Sequence, residues 1–343
     1  MKNRQFVLKQ RPEGLPKPAD FELVESTIPD LSDNQLLVRN IYVSVDPGMR
    51  TRLNKENSYS DALELGELIE SGFVGQVIKS KNSKYSEGDF VAGGAGWQEY
   101  TVSNGRGLIT VHPNDVPIST AIGVLGVSGL TGYFGVKTIG KAKKGETILV
   151  SSAAGAVGSV AGQVARLLGL QVVGLAGSDA KCSYLTDELG FDAAINYKTG
   201  GLADSISVAC PEGIDIYFDN VGGEILNTAV NQMRTGGRVV ISGQTAHYNC
   251  APQDRVGLTA TVNFITHRLI MQGFVVYDYA AQFRDATKEM KDWITSGELK
   301  YHEQIHGEFE SLPKVLIDIF EGVGYGRQIV QLITDPTCPE RVL

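Results

Sequence analysis

The sequence predicts an α/β fold, in which a doubly wound parallel sheet is set between a β-rich head and tail. Three observations predict it. At Thr147–Gly169, TILVSSAAGAVGSVAGQVARLLG, a glycine-rich turn joins a buried strand to a helix. Strands and helices then alternate to about residue 300, at the spacing of βαβ units. Before and after that stretch the chain reads mostly as strand. Head and tail therefore belong together, with residues 1–120 and 301–343 as one domain and 121–300 as the other. The active site is expected in a cleft between the two.

The turn comes first because it carries chemistry. Backbone N–H groups at a helix start point at a phosphate, and the helix dipole favours its charge. Gly155 lets the backbone approach a pyrophosphate, and Gly158 lets helix and strand touch. Where the fingerprint GxGxxG has its first glycine, this chain has Ala153. By itself the turn also suits a ligand-free crossover, and the elements that follow decide between the two. Strands are expected at Gln171–Gly177, Ala193–Tyr197, Gly213–Gly223, Gly236–Gln244 and Leu269–Val276. One helix is expected between the first two, ending at Gly190, and another over Glu224–Met233. The whole reads as a Rossmann dinucleotide-binding domain.

The end of the second strand selects the dinucleotide. A chain that reads the 2′-hydroxyl of NAD places an acid there, roughly 20 residues past the glycines. Here the strand runs into Ala176, Gly177 and Ser178. Lys181 follows as a point charge for a 2′-phosphate, and Ser178 can donate to the same oxygens. NADPH is the expected cofactor. Asp179 keeps two readings, a carboxylate suited to a helix start or a displaced NAD-reading acid.

Composition bounds the partners. The chain has 343 residues and a formal net charge of −8, which argues against nucleic acid and anionic membranes. Cys182, Cys210, Cys250 and Cys338 lie far apart without a CxxC pair, which suits a reducing compartment. The first residues, MKNRQFVLKQRPEG, lack the apolar run of a signal peptide, so a cytoplasmic protein is expected. Between Asp115 and Lys137 there is no charge, but Pro117 and five glycines favour buried helices between domains over a membrane span.

In chain order, FELVESTIPDL, NQLLVRNIYVSVD, SGFVGQVIKS and EGDFVAGGAGWQEYTVS read as strands of the head. AAQFRDATKEMKDWITSGEL reads as an amphipathic helix. HEQIHGEF, LPKVLIDIFEGV and RQIVQLI return to strand and short helix.

Several segments, taken in order, carry a resemblance. VDPGMRTRL (Val45–Leu53), GWQEYTV, GVLGVSGLTGYFGV, AAGAVGS, FDNVGG, GQTAHYN and RLIMQGFVV resemble the medium-chain dehydrogenase/reductase superfamily over essentially the whole chain. The VDPGMR segment is similar to the zinc-free branch of leukotriene/prostaglandin and alkenal double-bond reductases. The resemblance implies a GroES-like β-rich barrel beside the Rossmann sheet. It also implies NADPH-dependent reduction of the C=C bond of α,β-unsaturated ketones and aldehydes. It maps the pyrophosphate onto Gly155, Ala156, Val157 and Gly158, and the 2′-phosphate onto Ser178, Lys181 and Tyr197. Asn220 and the Phe274–Val275 backbone fall at the nicotinamide end. Gly48 stands where a bulky aromatic is usual, which opens the substrate pocket. Val127-Ser128 replaces Met-Pro, and Gly132 replaces Ala. Gly324, in GVGYGR, replaces a cofactor-touching Asn.

The residues constrain the chemistry independently. A zinc alcohol dehydrogenase needs an early Cys or His and a His-Glu pair, but the first histidine here is His112. A metal-free reduction still needs a donor for the carbonyl oxygen as charge builds there. Tyr248, just past the fifth strand, lies where open α/β sheets bind ligands. It is the expected catalytic and substrate-binding residue, although a cofactor ribose hydroxyl can share the role. His247 is either a proton shuttle or a solvated loop residue. Arg50 and Arg52 hold a ligand or lie at the surface, and Trp97 and Tyr100 line the cleft or pack in the core. A quinone oxidoreductase and a non-catalytic NADPH-binding protein remain the alternative functions. The apolar edge strand LIMQGFVV predicts a homodimer.

Overall fold

The computed structural model describes residues 1–55, 61–114 and 116–338. It divides into two units. The first comprises Met1–Gly123, Glu303–Gly324 and the chain from Gln328 on; the second comprises Val124–His302 with Tyr325–Arg327. The head supplies β1 (Lys2–Leu8), β2 (Phe21–Thr27), β3 (Leu36–Ser44), β4 (Gly72–Ser80), β5 (Phe90–Gly94), β6 (Tyr100–Ser103) and β7 (Ile109–Val111). The middle supplies β8 (Thr147–Val150), β9 (Gln171–Ala176), β10 (Ala193–Asn196), β11 (Ile214–Asp219), β12 (Met233–Ile241) and β13 (Ile270–Gly273). The tail adds β14 (Glu303–His306) and β15 (Arg327–Gln331).

In the first unit, β1 and β2 form an antiparallel hairpin, and seven strands run in the order β14-β15-β3-β4-β5-β7 with β6 against β3. Tail strand β15 pairs directly with head strand β3, so one sheet is built from both ends of the chain. Its core holds Trp97, fully buried among Phe6 and Phe21, with Nε1 donating to the Ser44 carbonyl at 3.2 Å. Strand β1 has no counterpart in the sequence reading; its backbone pairs with β2, Phe6 and Leu8 are buried in the core, and side-chain amides add to this. Asn3 Nδ2 donates to Gln98 Oε1 at 3.0 Å, and Gln5 Nε2 to the same oxygen at 2.8 Å.

The second unit is a six-stranded parallel sheet, β10-β9-β8-β11-β12-β13. This Rossmann order reverses between β8 and β11, and that reversal is the switch point where such sheets bind ligands. Strand β8 is buried throughout, as expected with helices on both faces. Val160, Val164, Phe191 and Phe218 pack on one side, and Leu149, Val173, Tyr217 and Val239 on the other.

Some boundaries shift. The helix expected to reach Met233 is Gly223–Val230, and Met233 already pairs with Ile214 as the first residue of β12. The charge-free run becomes a 3₁₀ turn, Ile118–Ile122, and a helix, Val127–Phe134. Gly132 seats that helix on the start of the helix Gly158–Leu167, since a Cβ there would lie 2.9 Å from Val157 O and Ala161 N. Among the described residues no helix is long and apolar enough to cross a membrane.

Candidate active site

The glycine turn leaves β8 and enters the helix Gly158–Leu167. Its left-handed residue is Ser152, at φ 49°. Ala153 is therefore tolerated at the first-glycine position: it is buried, and its N–H donates to Leu175 O at 2.9 Å. Gly158 is sterically required, because a Cβ there would sit 2.4 Å from Ser152 O. A Cβ on Gly155 would meet only Ser152 atoms, at 3.2 and 3.3 Å, so its outer side has room for a ligand. Ser159 N–H already bonds Gly155 O at 3.0 Å. The N–H groups of Ala156, Val157 and Gly158 are thus those a helix start leaves without an intrahelical acceptor. A pyrophosphate fits this cradle.

Beyond β9, Ser178 caps the short helix Asp179–Ser183, its Oγ accepting from Lys181 N at 3.3 Å. Lys181 is half-buried, and burial first, then the charge of Lys198, lowers its pKa. Tyr197 lies alongside: a Cβ on Gly177 would be 3.1 Å from its hydroxyl and 3.3 Å from Lys198 Cε. Burial raises the Tyr197 pKa, so its hydroxyl stays a donor. Ser178, Lys181, Tyr197 and Lys198 thus converge on one electropositive place that suits a dianionic phosphate. The sequence reading omitted Lys198, although it directly follows Tyr197 at the end of β10. Asp179 is turned to another task, with Oδ1 accepting from Asn196 Nδ2 at 2.7 Å.

At the switch point a fully buried carboxylate organises the chain. Asp219 Oδ1 accepts from Tyr217 Oη (2.9 Å), Ser151 Oγ (3.2 Å), and the N–H groups of Val221 (3.0 Å) and Gly222 (2.9 Å). Its Oδ2 accepts from Gln244 Nε2 at 3.0 Å. Asn220 is buried, its Nδ2 donating to Ser151 O at 2.7 Å. Tyr248 ends the short helix Thr245–Tyr248, and its hydroxyl oxygen accepts from Gln244 N at 3.3 Å. His247 is half-buried rather than a solvated loop residue, and its buried Nε2 has no hydrogen-bond partner among the described residues. Phe274 and Val275 follow the end of β13, with the Phe274 ring edge-on to Tyr279.

Other expected residues go elsewhere. Arg50 is buried, its Nη2 donating to the carbonyls of Pro12 (3.2 Å) and Gly14 (3.0 Å), and burial lowers its pKa. Arg52 pairs with Glu70 and donates to Asp61 O. Trp97 is core, and Tyr100 lines a small polar cavity with Asn3 and Gln98. Gly48 starts the turn into Met49–Arg52 at φ −61°, a conformation open to any residue. At Gly324, φ 73°, a Cβ would meet Gln304 Oε1 at 2.1 Å, so Gln304 fills the space an asparagine there would need. Gly326 N donates to Ala154 O in the glycine turn at 2.7 Å, and Arg327 Nη1 to Ser128 Oγ of the helix Val127–Phe134 at 3.1 Å.

Comparison with known proteins identifies the family. The family model for the N-terminal domain of oxidoreductases matches residues 4–111, and that for zinc-binding dehydrogenases matches 156–295. Bovine prostaglandin reductase 1 is 40% identical, over 96% of this chain and 98% of its own. The NADP(+)-dependent 2-alkenal reductase of Nicotiana tabacum is 38% identical, over 96% and 97%. The chain is a zinc-independent medium-chain dehydrogenase/reductase of the prostaglandin and alkenal reductase branch. The crystal structure of CurA from Vibrio vulnificus in complex with NADPH superposes with a TM-score of 0.91 at 34% identity, covering 97% of this chain and all of that one. Although one matched domain of this medium-chain reductase is named for zinc, no group of three or more His, Cys, Asp or Glu that could hold a metal stands among the described residues.

Proposed function

We propose that this chain is an NADPH-dependent reductase of the C=C bond of α,β-unsaturated ketones and aldehydes. The observation that carries the reading is its end-to-end similarity, at 36–40% identity, to a curcumin reductase, a prostaglandin reductase and a 2-alkenal reductase. When bound, NADPH supplies a hydride. The N–H groups of Ala156, Val157 and Gly158, beside Gly155, hold its pyrophosphate. Ser178, Lys181, Tyr197 and Lys198 hold the 2′-phosphate, and Asn220 with the Phe274–Val275 backbone borders the nicotinamide end. Tyr248 donates its O–H to the substrate carbonyl oxygen, a bond that strengthens as charge grows on that oxygen. Gly48 leaves room for the substrate. In this reading residues 121–300 are the NADPH domain, and 1–120 with 301–343 the catalytic one.

The test is NADPH oxidation with an enone, a 2-alkenal and a quinone in parallel. Enone and alkenal are turned over, and the quinone more slowly. A quinone faster than both overturns the reading.

The protein also acts as a homodimer in this proposal. Strand β13 is the edge of the parallel sheet, with Ile270 59% and Met271 37% exposed, and an apolar edge is a template for pairing with a second copy. Light scattering showing a monomer at micromolar concentration would count against it. Four cysteines present as thiols support placement in the reducing cytoplasm.

A further inference from the structure

We infer that Gln244 is a positioning residue, one that fixes the Tyr248 hydroxyl by tying its own backbone to the buried Asp219 carboxylate. The inference rests on the reading of Tyr248 as the carbonyl donor. The Asp219 carboxylate cannot drift, because five donors from Ser151, Tyr217, Val221, Gly222 and Gln244 converge on it. Hydrogen bonds to an ionised acceptor are the strong ones, and in a buried network they reinforce one another. Gln244 is therefore held by its side chain at 3.0 Å while its main-chain N–H reaches Tyr248 Oη at 3.3 Å.

The surroundings are built for this arrangement. The Gln244 side chain lies across Gly222, where a Cβ would come 2.2 Å from Oε1. Only a glycine at 222, at φ 76°, accommodates both the turn and the glutamine. The loop is pinned on its other side as well. Thr245 N and Ala246 N donate to Asn220 O and Val221 O at 3.3 and 3.0 Å, and His247 N donates to Gln244 O at 2.8 Å. FDNVGG and GQTAHYN are thus two halves of one device. The first presents a carboxylate and a vacant Cα; the second lays an amide across them and carries the tyrosine four residues later. Fixing a donor to within a fraction of an ångström is what an oxyanion-stabilising group requires.

Gln244→Met tests it, since methionine keeps the length and removes the amide. Turnover of an enone should fall about 3- to 10-fold with the Kd for NADPH unchanged, while the melting temperature drops modestly because the buried Asp219 Oδ2 loses its Gln244 donor. In a Tyr248→Phe background the same substitution should change turnover less than about 1.5-fold, because the group it positions is gone. An equal fold-loss in both backgrounds overturns the inference, as does wild-type turnover in Gln244→Met. If Tyr248→Phe alone keeps wild-type turnover, the donor assignment and this inference both fall. If Tyr248→Phe is impaired and Gln244→Met is not, only the inference falls.

Discussion

At the end of β9, Lys181 and Lys198 bring two ammonium groups toward one half-buried place, and Lys198 adds to burial in lowering the Lys181 pKa. At the ends of β11 and β12 the chain buries a single carboxylate and surrounds it with donors. In the proposed reading an arriving phosphate would ease the repulsion between these two ammonium groups, so cofactor binding energy is drawn from the first region. The second is satisfied before anything binds, so it supplies geometry. Damage to the first should therefore appear in cofactor affinity, and damage to the second in turnover.

The largest effect expected is at the second region. Tyr248→Phe should lower kcat on an enone about 10²-fold where the phenol is the main stabiliser, or nearer tenfold where the cofactor ribose shares the task. The NADPH Kd, followed by fluorescence, should barely move. Wild-type turnover on several enones would reduce Tyr248 to a wall of the pocket.

The first region should respond in the opposite way. Lys181→Ala should weaken NADPH about tenfold, the low end for a charge-assisted contact of ~1.5–3 kcal/mol at a half-exposed site. NADH should change less than about twofold, and kcat at saturating NADPH should hold. Equal losses for both cofactors would sink the 2′-phosphate assignment.

The smallest effect is in pH. Lys181 must be charged to meet a phosphate, and its pKa is lowered in the folded protein. Its contribution is present below that pKa and is lost as pH rises through it, earlier than for an ordinary lysine near ~10.4. NADPH affinity should therefore decline on the alkaline side while NADH affinity stays flat. Lys198→Ala, by removing the like charge, should move that decline to higher pH; a decline that stays put would separate the two lysines.

The parallel sheet was legible because buried strands such as Thr147–Val150 are continuous apolar runs closed by glycines, a signal local to each element. Gly155, Gly158, Ser178 and Lys181 of the proposed cofactor site were picked out by a similar local signal, since each stands at a fixed offset from a strand end. Lys198 was missed because its relevance depends on β10 lying beside β9, a relation between strands. Asp219 and Gln244 were missed because one reads as a strand terminus and the other as a loop polar residue, until the turn at Gly222 brings them to 3.0 Å. Arg50 and Arg52 could not be told apart by sequence. One is enclosed by the carbonyls of Pro12 and Gly14, the other is paired with Glu70 near the surface. Strand β1 was missed because the polar run Lys2–Gln5 precedes its two core residues, Phe6 and Leu8, leaving too short an apolar alternation to read.

The hydrogen bond from Gly326 N to Ala154 O sets a timetable for synthesis. The phosphate turn leaves the ribosome long before the residue that braces it, separated by 326 − 154 = 172 residues. At about 5–20 residues per second, that interval is roughly ten to thirty seconds. Throughout it the parallel sheet can assemble while the carbonyl of Ala154 still waits for its donor. A nascent chain released before Gly326 would carry every glycine of the turn and still lack one of its supports.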